Sequence, residues 1–200
     1  MNYLAHAYLS FNEPGLLTGN MISDFVKGKK QFEYSLPIQK GISLHRAIDE
    51  FTDRHSITRE AKKCFKPSYG LYSGAFMDVV YDHFLALDPV EFPGDSLSLF
   101  AQKTYQELEK VGPSLPDRFQ KIFYFMRIQN WLYNYRNKEA IKNSFTGLVR
   151  RAAYMHDFET AFGIFEKNYD DLKNYYQLFF PDLKNFAMER FKALMENNRE

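Results

Sequence analysis

A chain of 200 residues, 45% hydrophobic and 26% charged, is long enough to bury a core without disulfides or a structural metal, and its composition excludes a disordered chain. With 26 Lys and Arg against 25 Asp and Glu, the formal net charge is +1, which argues against bulk electrostatic binding of nucleic acid. The single cysteine, Cys64, excludes an internal disulfide and any thiolate-based zinc or iron–sulfur framework. No run of about 18 apolar residues is present to span a membrane, and the opening MNYLAHAYLSFNEPG has no basic leader, so a cytoplasmic protein is expected.

Leu4, Ala5, Tyr8 and Leu9 fall at helical spacing and predict a short first helix ending near residues 12–15. A second is expected from Leu16 to Val26, closed by Gly28. From Ile38 to about Cys64, Ile42, Ile48, Phe51 and Ala61 recur at helix-like gaps. Ser73 is expected to cap a helix running through Phe76, Val79, Val80, Phe84 and Leu87. Later helices are predicted over 96–110, 116–135, 138–154 and 157–180, with a tail to Leu194; Pro116 and Pro181 are among the prolines taken as breaks. Alternating strands with Asn-Gly or Asp-Gly hairpin turns do not occur. The expected fold is all-α, a compact helical bundle forming a single domain over residues 1–200.

Four of the five histidines precede Leu85, and several lie at helical intervals from aspartates. His45, Asp49 and Asp53 are spaced i, i+4, i+8, which places an imidazole and two carboxylates on one helix face. Asp78 and Asp82 repeat the spacing, with His83 adjacent. His6 and Asp24 sit in the apolar frames YLAHAYL and NMISDFV, where burial is costly unless they pair or bind a cation. At this level two readings stand side by side. The groups either share a metal ion or are ordinary helix-face residues, with Arg46 pairing Glu50 at i, i+4. Imidazoles with carboxylates and no thiolate suit manganese, iron, zinc or magnesium. Such an ion lowers the pKa of a water toward about 7, so phosphoester hydrolysis is the reaction best served. A Gly-x-Ser-x-Gly elbow, a phosphate-binding Gly-rich loop and a dinucleotide fingerprint are absent. The lysines of KKCFKP would lower the Cys64 pKa, but a buried, structural cysteine is the simpler expectation. His55 and His156 are expected to be structural.

The segments MNYLAHAYLS, LLTGNMISDFVKG, GISLHRAIDEFTDRHS and MDVVYDHFL, followed by QNWLYNYRN, GLVRRA and FFPDL, together resemble the acyl carrier protein phosphodiesterase family over nearly the whole chain. The resemblance implies a divergent, all-helical relative of the HD-type metal phosphohydrolases. It implies removal of 4′-phosphopantetheine from the serine of holo acyl carrier protein, with a divalent cation, typically manganese. His6, Asp24, His45, Asp82 and His83 are then the metal-binding candidates. Asp24, Arg46 and Asp49 are the catalytic candidates, with Asp49 orienting a ligand or water and Arg46 contacting phosphate. HD enzymes carry a contiguous His-Asp pair, whereas this chain has the reverse order at Asp82-His83, and His45 is followed by Arg46. Acyl carrier proteins are small and acidic, and Lys27, Lys29 and Lys30 follow Asp24 as a candidate docking loop; they equally fit a solvated turn. No nucleic-acid or membrane partner is expected. A nucleotide or other small phosphoester as substrate, or a non-catalytic helical interaction protein, are the alternatives.

Overall fold

The computed structural model describes residues 1–151 and 157–196, so His156 lies outside the described residues. Among the described residues there are helices and no strand, as the sequence predicts. In chain order they are α1 (Tyr3–Tyr8), α2 (Pro14–Ile22), α3 (Leu36–Arg54), α4 (Ser56–Ala61), α5 (Lys66–Tyr69) and α6 (Ser73–Ala86). The second half adds α7 (Ser96–Lys110), α8 (Asp117–Ile128), α9 (Trp131–Asn134), α10 (Lys138–Arg151), α11 (Phe158–Lys167) and α12 (Tyr169–Glu196). No helix among them is long and apolar enough to cross a membrane.

Helix α6 is apolar on nearly every side: Phe76, Met77, Val79, Val80, Tyr81, Phe84 and Leu85 are all buried. A helix of that composition belongs in the middle of a bundle. Here α1, α10 and α12 pack around it. Rings knit the far side of the core. Phe76 of α6 meets Phe145 of α10 edge-on at 5.0 Å, and Phe145 meets Phe165 of α11 at 6.1 Å.

Several expected boundaries shift, each for a local reason. The helix expected from Ile38 to Cys64 breaks at His55, whose extended backbone (ψ 133°) turns the chain so that α4 packs against α12. The segment 116–135 divides at Asn130, which takes the left-handed conformation (φ 48°) that Asn tolerates better than most residues. The helix expected from 157 to 180 divides at Asn168, whose side-chain amide donates to the Ile164 carbonyl at 2.8 Å. Pro181 does not end α12. It lies on an exposed side, where the Gln177 carbonyl left without its N–H partner can face water. Ser73 is the first residue of α6 and makes no side-chain cap; Tyr72 holds the cap position. The second helix ends at Ile22 in a 3-10 turn over Ser23–Phe25, and Gly28 (φ 58°) opens the loop beyond it.

The α2–α3 pair is the most extensive helix contact among the described residues, and it positions the site. The two backbones meet at Gly19 and Gly41. A Cβ on Gly19 would lie 2.0 Å from the Ile38 carbonyl oxygen and 2.8 Å from the Gly41 Cα, so no side chain fits. Gly19→Ala is therefore expected to push α2 off α3 and cost about 3 kcal/mol of stability. Thermal unfolding checks this; an unchanged midpoint would show that the close approach is dispensable.

Candidate metal centre

Helices α1 and α3 bring His6, His45 and Asp49 together, and α2 lies behind them. The two imidazoles stack with ring centroids 3.9 Å apart and planes 15° from parallel. Asn20 of α2 is fully buried and holds both rings. Its side-chain amide donates to the His6 carbonyl oxygen at 2.8 Å and to Ser10 Oγ at 3.1 Å. That fixes its orientation, so Oδ1 accepts from His6 Nδ1 at 2.8 Å. The Asn20 backbone carbonyl accepts from His45 Nδ1 at 2.7 Å. Both Nδ1 atoms thus carry hydrogen, and in the neutral rings the lone pairs sit on Nε2.

Those Nε2 atoms are buried, and neither makes a hydrogen bond. Yet His6 Nε2 lies 3.2 Å from Asp49 Oδ1, and His45 Nε2 lies 3.1 Å from Asp49 Oδ2 and 3.3 Å from Asp24 Oδ1. The ligand atoms of His6, His45 and Asp49 all fall within 4.8 Å of one another. Donor atoms this close together, with no aligned hydrogen bond between them, can converge on one ion once His45 gives up its proton. A donor set of two imidazole nitrogens and carboxylate oxygens fits a divalent ion such as manganese, iron or zinc. Asp24, from the 3-10 turn after α2, has its side chain 72% exposed and marks the side of the cluster open to solvent.

The charges are strongly coupled. Burial would lower the His45 pKa, but Asp24 and Asp49 outweigh it and raise the value to about 9. His6 is driven down to about 4, first by burial and then by the charge on His45, against the pull of Asp49. For Asp49, burial favours the protonated form. It is overcome by the Met1 amino group, 3.2 Å away, and by the two histidines, which hold the carboxyl well below the ordinary range. Asp24 is held low by its contact with His45. The metal-free cluster therefore carries its proton on His45 up to about pH 9. An ion needs that nitrogen neutral, so its affinity is expected to rise with pH until that value and level off above it. Near pH 7.5, about one proton should be released per ion bound, readable by calorimetry in buffers of different ionisation enthalpy. Release of no proton would contradict this charge assignment.

Asp82 and His83, also expected in the ligand set, lie outside the group formed by His6, His45 and Asp49 and have other partners. Asp82 is completely buried, and its oxygens accept the Leu4 and Ala5 backbone N–H groups at 2.7 and 3.2 Å. These are orphan donors in the first turn of α1, so Asp82 caps that helix and thereby places His6. Burial raises its pKa to about 7 even so. His83 faces another way. Its Nδ1 donates to the Tyr135 carbonyl at 2.7 Å, and its Nε2 lies 2.9 Å from the Tyr169 hydroxyl, leaving no nitrogen for an ion. The i, i+4, i+8 face also ends early, because Asp53 pairs Lys62 at 2.6 Å.

Arg46 does not pair Glu50, which binds Arg54 at 2.8 Å. Instead Arg46 donates to Gln31 Oε1 at 2.8 Å and to the Val26 carbonyl at 3.4 Å, which holds it against the loop that follows Asp24. Lys27, Lys29 and Lys30 are exposed on that loop. Burial pushes the Cys64 thiol up to about 11, so its neighbouring lysines do not activate it. His55 lies 3.3 Å from Asp182 and against Phe51 and Phe179, a packing role. Asn20 escaped the sequence reading. The available signal was a lone amide in the apolar frame LLTGNMI, of the same kind that singled out His6 and Asp24.

The family model described as acyl carrier protein phosphodiesterase matches residues 1–183. A protein of that name from Photorhabdus laumondii is 31% identical over 182 residues, covering 90% of this chain and 92% of its own. Another from Yersinia pestis is 30% identical over 191 residues, covering 95% and 99%, and one from Klebsiella pneumoniae strain 342 is 29% identical over 188, covering 94% and 97%. No solved structure matches the chain. With matches running through α1, α2 and α3, which build the cluster, the chain belongs to the acyl carrier protein phosphodiesterase family.

Proposed function

We propose that this protein is a metal-dependent hydrolase that cleaves the phosphodiester joining 4′-phosphopantetheine to the serine of holo acyl carrier protein, releasing the apo carrier. One observation carries the metal assignment: the buried Nε2 atoms of His6 and His45 and the Asp49 carboxylate converge within 4.8 Å of one another without an aligned hydrogen bond between them. His6, His45 and Asp49 would hold the ion, with Asp24 adjoining, and manganese is the first choice for this donor set. A bound divalent cation supplies charge to offset the phosphoryl oxygens and makes a water more acidic. Asn20 keeps both imidazoles in the tautomer that presents Nε2. Asp24, exposed and beside His45, would orient a water and take its proton. Arg46, tied to the loop after Asp24, would contact the phosphate through the guanidinium N–H groups those bonds leave over.

Incubating the protein with holo carrier and Mn2+, and weighing the carrier by mass spectrometry, tests the reading. The carrier is expected to lose the mass of its arm. A carrier mass unchanged with manganese, magnesium, iron and zinc would contradict the assignment.

Lys27, Lys29 and Lys30, exposed on the loop that follows Asp24, would complement an acidic carrier. Changing all three to Glu is expected to lower kcat/KM for the carrier by about tenfold at low salt while sparing a small phosphodiester probe. Equal losses on both substrates would instead favour a small phosphoester as the natural substrate. Unchanged carrier kinetics would remove the docking role.

A further inference from the structure

A cavity lies away from the cluster, between the C-terminal half of α3, the start of α4 and α12. Its volume is about 530 Å³. Ala47, Glu50, Phe51 and Arg54 recur at three- and four-residue steps, on a stripe of α3 turned away from His45 and Asp49. Arg59 of α4 and Arg190 of α12 complete the basic lining, so three guanidiniums face one carboxylate, Glu50, which is paired with Arg54. Among the described residues, Arg59 and Arg190 make no ion pair. The Arg190 guanidinium rests on the Phe186 ring at 5.6 Å from its centroid, and Phe186 in turn stacks on Phe51 at 4.4 Å.

We propose that this cavity binds a nucleotide, with its phosphates on Arg59 and Arg190 and its nucleoside against the Phe51–Phe186 wall. Planar guanidinium forks match phosphate oxygens in pairs, and a guanidinium laid on an aromatic face is already oriented, so it loses less freedom on binding. The volume exceeds what inorganic phosphate fills and suits a small organic ligand, for which about 300–1,000 Å³ is usual. The stacked rings supply the apolar wall that such a ligand needs. The site is independent of the proposed hydrolysis, because none of its side chains belongs to the cluster.

Calorimetry on the full-length protein in EDTA and phosphate-free buffer, with ADP, adenosine and inorganic phosphate as probes, tests this. ADP is expected to bind one per chain, and both fragments at least about tenfold more weakly. The exposed pair Arg59→Ala/Arg190→Ala should weaken ADP at least about tenfold. The matching Lys pair should fall between, and Asp49→Asn should leave ADP binding intact. Carrier turnover without nucleotide should be unchanged in the Arg variants. No ADP binding at millimolar concentration, binding insensitive to the Arg substitutions, or binding lost in Asp49→Asn would each overturn the proposal.

Discussion

Asp49→Asn is expected to lower turnover of holo carrier by about 10³-fold or more and to abolish tight binding of a divalent ion such as Mn2+. The reason lies in where the carboxylate oxygens sit. Oδ1 is 3.2 Å from His6 Nε2 and Oδ2 is 3.1 Å from His45 Nε2, so one side chain addresses both lone pairs. Asn has the same shape but presents an NH2 group at one of those positions. It would donate a hydrogen bond to an imidazole nitrogen and so occupy a lone pair that an ion would need. It would also remove the negative charge that raises the His45 pKa, so the apparent pKa of that ring should drop. The helical content should persist, since Asp49 is partly exposed and α3 is anchored mainly by Ile42, Leu44 and Ile48. Metal content, circular dichroism and carrier mass in one preparation check this. Normal occupancy with normal turnover would remove Asp49 from the site.

Asn20→Ala is expected to weaken manganese binding by about 10–100-fold without touching any ligand atom. The substitution removes the acceptor that keeps hydrogen on His6 Nδ1 and deserts the donors' partners at the His6 carbonyl and Ser10. His6 is then free to turn or to move its proton to Nε2, where it blocks coordination. His45 keeps its bond, because that acceptor is the backbone carbonyl of residue 20. The loss should therefore fall on one imidazole. An apolar replacement in a buried frame also costs stability, so affinity must be measured well below the unfolding temperature. Affinity equal to that of the unsubstituted protein would show that the tautomer is set by something else.

The sequence announced helices through spacing and the site through misplaced polarity. His6 and Asp24 stood out because an imidazole and a carboxylate in apolar frames need partners, and the structure brings both beside His45. His45 and Asp49 stood out because four residues are one helical turn. Asp82 and His83 met the same tests and are accounted for differently. Asp82 satisfies two backbone N–H groups of α1, and His83 two oxygens from distant segments, Tyr135 and Tyr169. Spacing along one helix shows which side chains are neighbours, but not which part of another helix they meet. The same limit hid Asn20, whose importance depends on α2 crossing α3 at Gly19 and Gly41. Helix breaks at His55, Asn130 and Asn168 were equally local decisions of backbone angle and side-chain hydrogen bond, with no proline or glycine to announce them.

Pulsed EPR on the Mn2+-loaded protein addresses the centre most directly, because nitrogen coupling to the bound ion counts its imidazole ligands. The arrangement of α1 and α3 predicts one tightly bound manganese coupled to two imidazole nitrogens, with one coupling lost in His6→Ala and one in His45→Ala, and none in His83→Ala. Manganese bound without nitrogen coupling, or with a coupling that disappears only in His83→Ala, would contradict it.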